Sequence, residues 1–267
     1  MGRSCSSEHA KGTCVQAVMM GSSCTKRCRF WVGFVGLDIA AEMVVKDTSS
    51  TLFDSKFSSD IPHRKMAPTV AELLEDYVHQ PELVERIGYR EHEPPIEIIA
   101  PQNAEWAEAF HALKNRIIAA LGDTAVAVHH TGSTSVPDLP AKDIIDIDLV
   151  VKDSADEAAY VDRLEQAGFK FIIREAGWHQ HRFFYTYSPR AVNLHVWSPD
   201  SPEVARHQIF KERLLRSPED KARYREAKEL AASQTRADGG AVQDYNYRKE
   251  ETIRQILRNA FKDLGYI

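Results

Sequence analysis

Asp146 and Asp148 are the residues of this chain whose types and spacing speak most directly of chemistry. They lie in Asp143-Ile144-Ile145-Asp146-Ile147-Asp148-Leu149-Val150, a run that reads as the strongest strand of the sequence. Side chains alternate along a strand, so Ile145, Ile147 and Leu149 face one way and the two aspartates the other. Their Cα atoms are then roughly 6 to 7 Å apart. Two like charges on so apolar a strand are costly unless something positive neutralises them. A divalent cation, Mg²⁺ or Mn²⁺, is the simplest answer, since Mg²⁺ typically takes one or two carboxylates plus substrate phosphates. The alternative is an exposed strand face with two solvated aspartates.

Upstream, Gly132-Ser133 ends the previous β-rich run. Glycine permits close backbone approach, and a following helical turn would aim N–H groups at an anion. Lys142, beside the acidic strand, either meets phosphate or neutralises Asp143 or Asp146. Arg182 opens a later strand and is either a bidentate phosphate donor or a surface or strand-edge arginine. His129, His130, His179, His181 and His195 gather around the same region, with His179 and His181 expected on one strand face. Three imidazoles can build a zinc site, but the spacing follows no fixed pattern, and hydrogen-bonding histidines in a polar cleft fit better. The basic run Arg206, Lys211, Arg213, Arg216 is interleaved with acids and reads as a solvated helix face.

The elements that must position these residues follow from periodicity. Thr69 to Gln80 reads as a short helix, Pro94-Pro95 as a linker and Ile96 to Ile99 as a strand. Asn103 can cap a helix whose Trp106, Phe110, Leu113, Ile117 and Leu121 share one face, with Gly122 as its stop. Ser154 to Ala167 suggests another helix; Phe169 to Ile173, Arg182 to Tyr187 and Val192 to Trp197 read as strands. Ser201-Pro202 and Ser217-Pro218 open two helices, and a last one runs from about Asp244 to Lys262. The fold class is α+β: a mixed sheet with flanking helices and a helical C-terminal third.

The 267 residues are expected to divide into an extension over 1–65, a short helix and linker over 66–94, and a domain over 95–265. The extension is rich in Ser, Thr and Cys and reads as disordered, with Met66 as an alternative start. Its apolar stretch Phe30 to Leu37 is too short for a membrane span and only a poor signal segment, and Met1-Gly2 is a weak acylation match. All four cysteines lie within the first 28 residues, so the domain uses neither disulfides nor thiolate ligands, which fits a reducing, cytoplasmic setting. A net charge of -5 argues against a dedicated nucleic-acid binder.

Gly-Ser, twelve residues from Thr134 to Ile145, then Asp146-Ile147-Asp148 resembles the signature of the polymerase-β-like nucleotidyltransferase superfamily. The longer run Gly132-Ser133-Thr134-Ser135-Val136-Pro137 through Ala141-Lys142 to Ile145-Asp146-Ile147 resembles the core of the GrpB family. Asn193-Leu194-His195-Val196, Phe210 to Arg216, Tyr224 with Lys228, and Tyr247 with Lys249 resemble its later motifs. Asp138 stands where that family usually has Gly, Asp143 where it has Pro, and Asn193 where it has His. The resemblance implies nucleotide phosphates on Gly132 and Ser133, with the motif residue Lys142 beside them, and a metal on Asp146 and Asp148; Arg182, from the reading of its strand, is added as a nucleotide-binding candidate. Asp146, Asp148 and His195 would be catalytic, with a nucleoside monophosphate passing from a nucleoside triphosphate to an unknown acceptor. A third carboxylate is missing; His195, its pKa raised by the aspartates, is expected to replace it as base or ligand. The alternatives are a non-catalytic nucleotide-binding or regulatory module, linked to CoA metabolism through family members fused to dephospho-CoA kinase, and a metal phosphohydrolase.

Overall fold

The computed structural model describes residues 67–267 apart from His79. The expected extension over 1–65, with its signal, acylation and start-site readings, lies outside the described residues. Among the described residues, no helix is long and apolar enough to cross a membrane.

The centre is a six-stranded mixed sheet of β1 (Glu85–Arg86), β2 (Ala125–Thr131), β3 (Ile144–Val151), β4 (Lys170–Glu175), β5 (His181–Thr186) and β6 (Ala191–Trp197), ordered β1-β4-β5-β6-β3-β2. Only β3 and β6 pair in parallel. That places the acidic strand beside the strand carrying Asn193 and His195. One face of the sheet is the core: Ile145, Ile147 and Leu149 of β3 meet Val192, Leu194 and Val196 of β6 under α2 (Asn103–Leu121). The expected stripe of α2, Trp106 to Leu121, is buried there, as its spacing requires. Asn103 is the first helical residue rather than the cap. Its amide instead exchanges hydrogen bonds with the Asp138 backbone and carboxylate, at 3.0 and 2.8 Å.

The second face is covered by α4 (Pro202–Arg216), α5 (Pro218–Ala237) and α6 (Val242–Asp263). Pro202 and Pro218 each open a helix, and the Ser217 hydroxyl accepts from the Asp220 N–H.

Three elements differ from expectation. The first helix, α1, covers only Val70–Leu74, within a Thr69–Glu72 capping box, because Glu75 turns extended. Ile96 to Ile99 is not a strand: Ile99 makes one bridge to Ala141, while the Ile96 carbonyl accepts from Arg236 of α5. Pro94 and Pro95 have no N–H with which to extend a ladder. The expected Ser154–Ala167 helix breaks at Tyr160, whose buried hydroxyl donates to the Ser154 carbonyl at 2.6 Å; α3 (Val161–Gln166) follows.

Candidate functional site

Strand register alone assembles a polar face. Asp146 pairs with Thr131 on β2 and Asn193 on β6; Asp148 pairs with His129 and His195. On β5, Phe183 stands opposite His195 and Tyr185 opposite Asn193. Between this face and helices α4 to α6 lies a cavity of about 270 Å³, reached by Gly132, Asp146, His195, His207, Lys211 and Tyr224.

The two aspartates have different environments. Asp148 is fully buried; the Trp197 indole N–H donates to one oxygen and His207 Nδ1 to the other, both at 2.9 Å. Burial pushes the Asp148 carboxyl up, but the His207 charge and hydrogen bond outweigh it and hold it below the usual range. Burial likewise opposes protonation of His207, yet the Asp148 charge and hydrogen bond carry it up to about 9. The pair is therefore imidazolium and carboxylate at neutral pH. Asp146 is only half-buried, yet loss of solvation raises its carboxyl above the ordinary range despite a 2.7 Å hydrogen bond from the Asn193 amide. The same amide accepts from Arg90 at 2.6 Å, which fixes its orientation.

Gly132 has φ +66°, and a Cβ there would overlap the Asp146 carboxylate and lie 2.8 Å from the Asp146 Cβ. The glycine is required both by its backbone angle and by this approach. Next to it, the Ser133 hydroxyl donates to the Tyr224 hydroxyl at 3.3 Å.

Around Asp146 the helices bring cations that outnumber the carboxylate. Lys228 of α5 is buried over the Tyr224 ring, one turn away. Lys249 of α6 and Lys142 both sit over the Tyr245 ring, at 4.9 and 4.8 Å. Burial, reinforced by mutual repulsion, holds Lys228 down to about 7 and Lys142 to about 8, and burial lowers Lys249. Arg90 completes the group, with its Nη1 buried and unbonded among the described residues. Lys228 and Lys249 enter the sequence reading as motif residues with no assigned role. The signal that could have found them is a repeated Tyr-x-x-x-Lys, at Tyr224–Lys228 and Tyr245–Lys249, which stacks ring and ammonium on one helix face.

Residues 95–259 match the family described as GrpB protein. The chain belongs to the GrpB family. A UPF0157 protein of Halalkalibacterium halodurans is 40% identical over 155 residues, 58% of this chain and 77% of that one. Another from Streptomyces coelicolor is 35% identical over 162 residues, covering 61% and 83%. A dephospho-CoA kinase of Mycolicibacterium paratuberculosis is 27% identical over 192 residues, 62% of this chain and 46% of the kinase. The crystal structure of the conserved protein GrpB from Enterococcus faecalis superposes with a TM-score of 0.55 at 24% identity, covering 63% of this chain and 99% of that one. The likeness is one of fold: a mixed sheet with flanking helices and a helical C-terminal region.

Two departures from the GrpB pattern have local explanations. Asp138, in the usual glycine position, adopts φ +62°, a conformation aspartate tolerates better than most residues, steadied by Asn103. Asp143, in the usual proline position, accepts from the Trp106 indole at 2.9 Å and pairs with Arg190.

The expected Mg²⁺ or Mn²⁺ on Asp146 and Asp148 is overturned. Among the described residues, no group of three or more His, Cys, Asp or Glu side chains could hold a metal ion. Both Asp148 oxygens are occupied by N–H donors, and Asp146 takes the Asn193 amide and lies in the field of Lys142 and Lys249. The metal-dependent transfer, the metal phosphohydrolase and the zinc site fall with this finding.

Arg182 belongs to the opposite face of the sheet, buried against Glu157 at 2.5 Å, so it does not join Gly132, Ser133 and Lys142. His179 precedes β5 in a turn with φ +49° and shares no strand face with His181. His130 stacks on Phe110 of α2, at the core side. His195 does reach the cavity, but its state differs from expectation: burial, with His181 adding to it, lowers its pKa to about 3.

Proposed function

We propose that this GrpB-family protein is a nucleotidyltransferase-like binding module that holds a nucleoside phosphate through side chains alone. One observation carries the reading: Arg90, Lys142, Lys228 and Lys249 gather around Asp146, beside Ser133 and Gly132, with Glu93 and Glu229 only at the margin of the group. Buried lysines crowded in this way are short of negative charge, and a phosphate dianion supplies it. An adjoining cavity of about 730 Å³ shares His195 and Trp178 and is lined by Phe183, Tyr247 and Lys249, offering aromatic surface to a base. Asn193 stands beside Asp146 on the neighbouring strand and cannot act as a base, which favours binding over transfer.

Calorimetric titration with each of the four nucleoside triphosphates, in chelator and in Mg²⁺, tests this. The expected result is binding in chelator, with Ser133→Ala and Lys228→Met weakening it without unfolding the protein. Binding should also take up protons between about pH 7 and 8.5, because phosphate restores the charge of Lys228 and Lys142. An absolute need for Mg²⁺, or full affinity in both variants, would overturn the reading.

A further inference from the structure

Beyond the phosphate site, the polar face carries a chain of acid and imidazole groups that phosphate binding does not use. His181 Nδ1 lies 2.6 Å from Glu175 Oε2, and His181 Nε2 lies 3.0 Å from His195 Nδ1. The two rings are within 22° of parallel, so donor and lone pair share nearly one plane. Glu175 and His181 are buried, and Trp197 stacks on His181 with centroids 4.4 Å apart, which prevents either ring from turning away.

Two facing ring nitrogens at this distance need one proton between them. The Glu175 carboxylate requires a proton on His181 Nδ1. Burial keeps His181 neutral against the pull of Glu175, so its Nε2 is a lone pair. His195 must then donate from Nδ1, and its own Nε2 is left as a lone pair. That atom has no partner among the described residues, and the His195 ring lines the cavity that also holds Asp146 and Lys211. Across the cavity, the His207 imidazolium is held by Asp148 with Arg206 on the same wall, and Arg90 lies over the neighbouring Phe183 ring. Burial above all, then His181 and the His207 and Arg90 charges, oppose a second proton on His195, and Asp148 only partly offsets them.

We propose that Glu175, His181 and His195 form a relay that fixes His195 as the Nδ1–H tautomer, so that its Nε2 accepts a hydrogen bond from a hydroxyl of the bound ligand. Glu175 and His181 are positioning residues; His195 touches the ligand. The ligand class this adds is a phosphate ester carrying a free hydroxyl within reach of the phosphate site, as in a sugar phosphate or the ribose of a nucleotide. This last step rests on the phosphate-binding reading, whereas the tautomer does not.

The tautomer is read directly by two-bond ¹⁵N–¹H correlation of the imidazoles in the ¹⁵N-histidine-labelled full chain at pH 7, with His181→Asn and His195→Asn for assignment. His181 and His195 should both carry the proton on Nδ1. A protonated Nε2 on His195 overturns the proposal even if every variant misfolds, since wild-type protein gives the answer. In Glu175→Leu the His195 pattern should become mixed; an unchanged pattern would mean the relay does not set it. Ribose 5-phosphate should shift the His195 Nε2 resonance, and His195→Leu should weaken it about tenfold, the worth of one hydrogen bond at the upper end of the neutral range. Inorganic phosphate should bind the same variant within about twofold of wild type. Equal losses for both probes would assign His195 to the phosphate and overturn its hydroxyl role. Failure of both probes to bind wild type, with the Nδ1–H tautomer present, would remove the phosphate reading and leave the relay standing, whereas binding of inorganic phosphate alone would overturn the hydroxyl role.

Discussion

Asp148 is a fully buried carboxylate satisfied by Trp197 and His207, and its stability contribution is tied to one proton. His207 has a folded pKa of about 9, above the roughly 6.5 of an unfolded histidine. The stabilisation is complete below about pH 6.5 and is lost as pH rises through 9. We expect His207→Gln to cost about 1 to 2 kcal/mol at pH 6, a figure reduced for the partial exposure of the ring, and much less at pH 9.5. Urea unfolding of both proteins at the two pH values measures it. Lys228 has the opposite sign. Its folded pKa of about 7 lies below that of a free lysine, so it is a cost below pH 7 that fades as pH climbs towards 10.5. Wild type should therefore gain stability relative to Lys228→Met between pH 7 and 10, by a few kcal/mol at most. A flat difference would show that Lys228 is not held neutral by burial.

At the scale of elements, the loop from Gly132 to Asp143 joins two antiparallel strands and brings Gly132 against Asp146. Its tightness depends on Gly132. Alanine there faces both a left-handed backbone angle and the Asp146 side chain, at an expected cost of about 2 to 3 kcal/mol. Because Asp146 must move to admit the methyl group, Gly132→Ala should lose nucleotide affinity more than the stability change explains. Thermal melting and calorimetry on the same preparation separate the two effects. A fully stable variant with native affinity would mean that the loop relaxes freely. Gly132, Ser133, Asp146 and Asp148 were all legible in the sequence because they fall in one contiguous run of local geometry. Lys249 and His207 were not assigned roles because they lie on helices remote in the chain, and only packing turns them towards Asp146 and Asp148.

Across the molecule, the segment before the GrpB match is fastened to its far end. Leu73 packs with Leu257 and Phe261 of α6, and buried Arg206 of α4 donates to the Leu73 and Glu75 carbonyls and to Asp76. A chain beginning at Met66 should melt within a few degrees of the full chain, as the composition of residues 1–65 suggests. Removing residues up to Gln80 strands the Arg206 guanidinium and uncovers Phe261, which should lower the melting temperature by about 5 to 10 °C. Equal melting of the two truncated chains would show that α1 adds nothing.

The sequence by itself determined the sheet with its helical C-terminal third, the Gly132-Ser133 turn and the acidic strand, because alternation, capping and turn chemistry act within a few residues of one another. Only the tertiary structure decided what the aspartates face. A metal was the economical answer for two like charges on an isolated strand. In the folded molecule, Trp197 and His207 take Asp148, Asn193 and the lysines take Asp146, and Glu157 takes Arg182 to the other face. Charge balance is a sum over everything within a few ångströms, and those neighbours come from strands and helices that local sequence patterns cannot bring together.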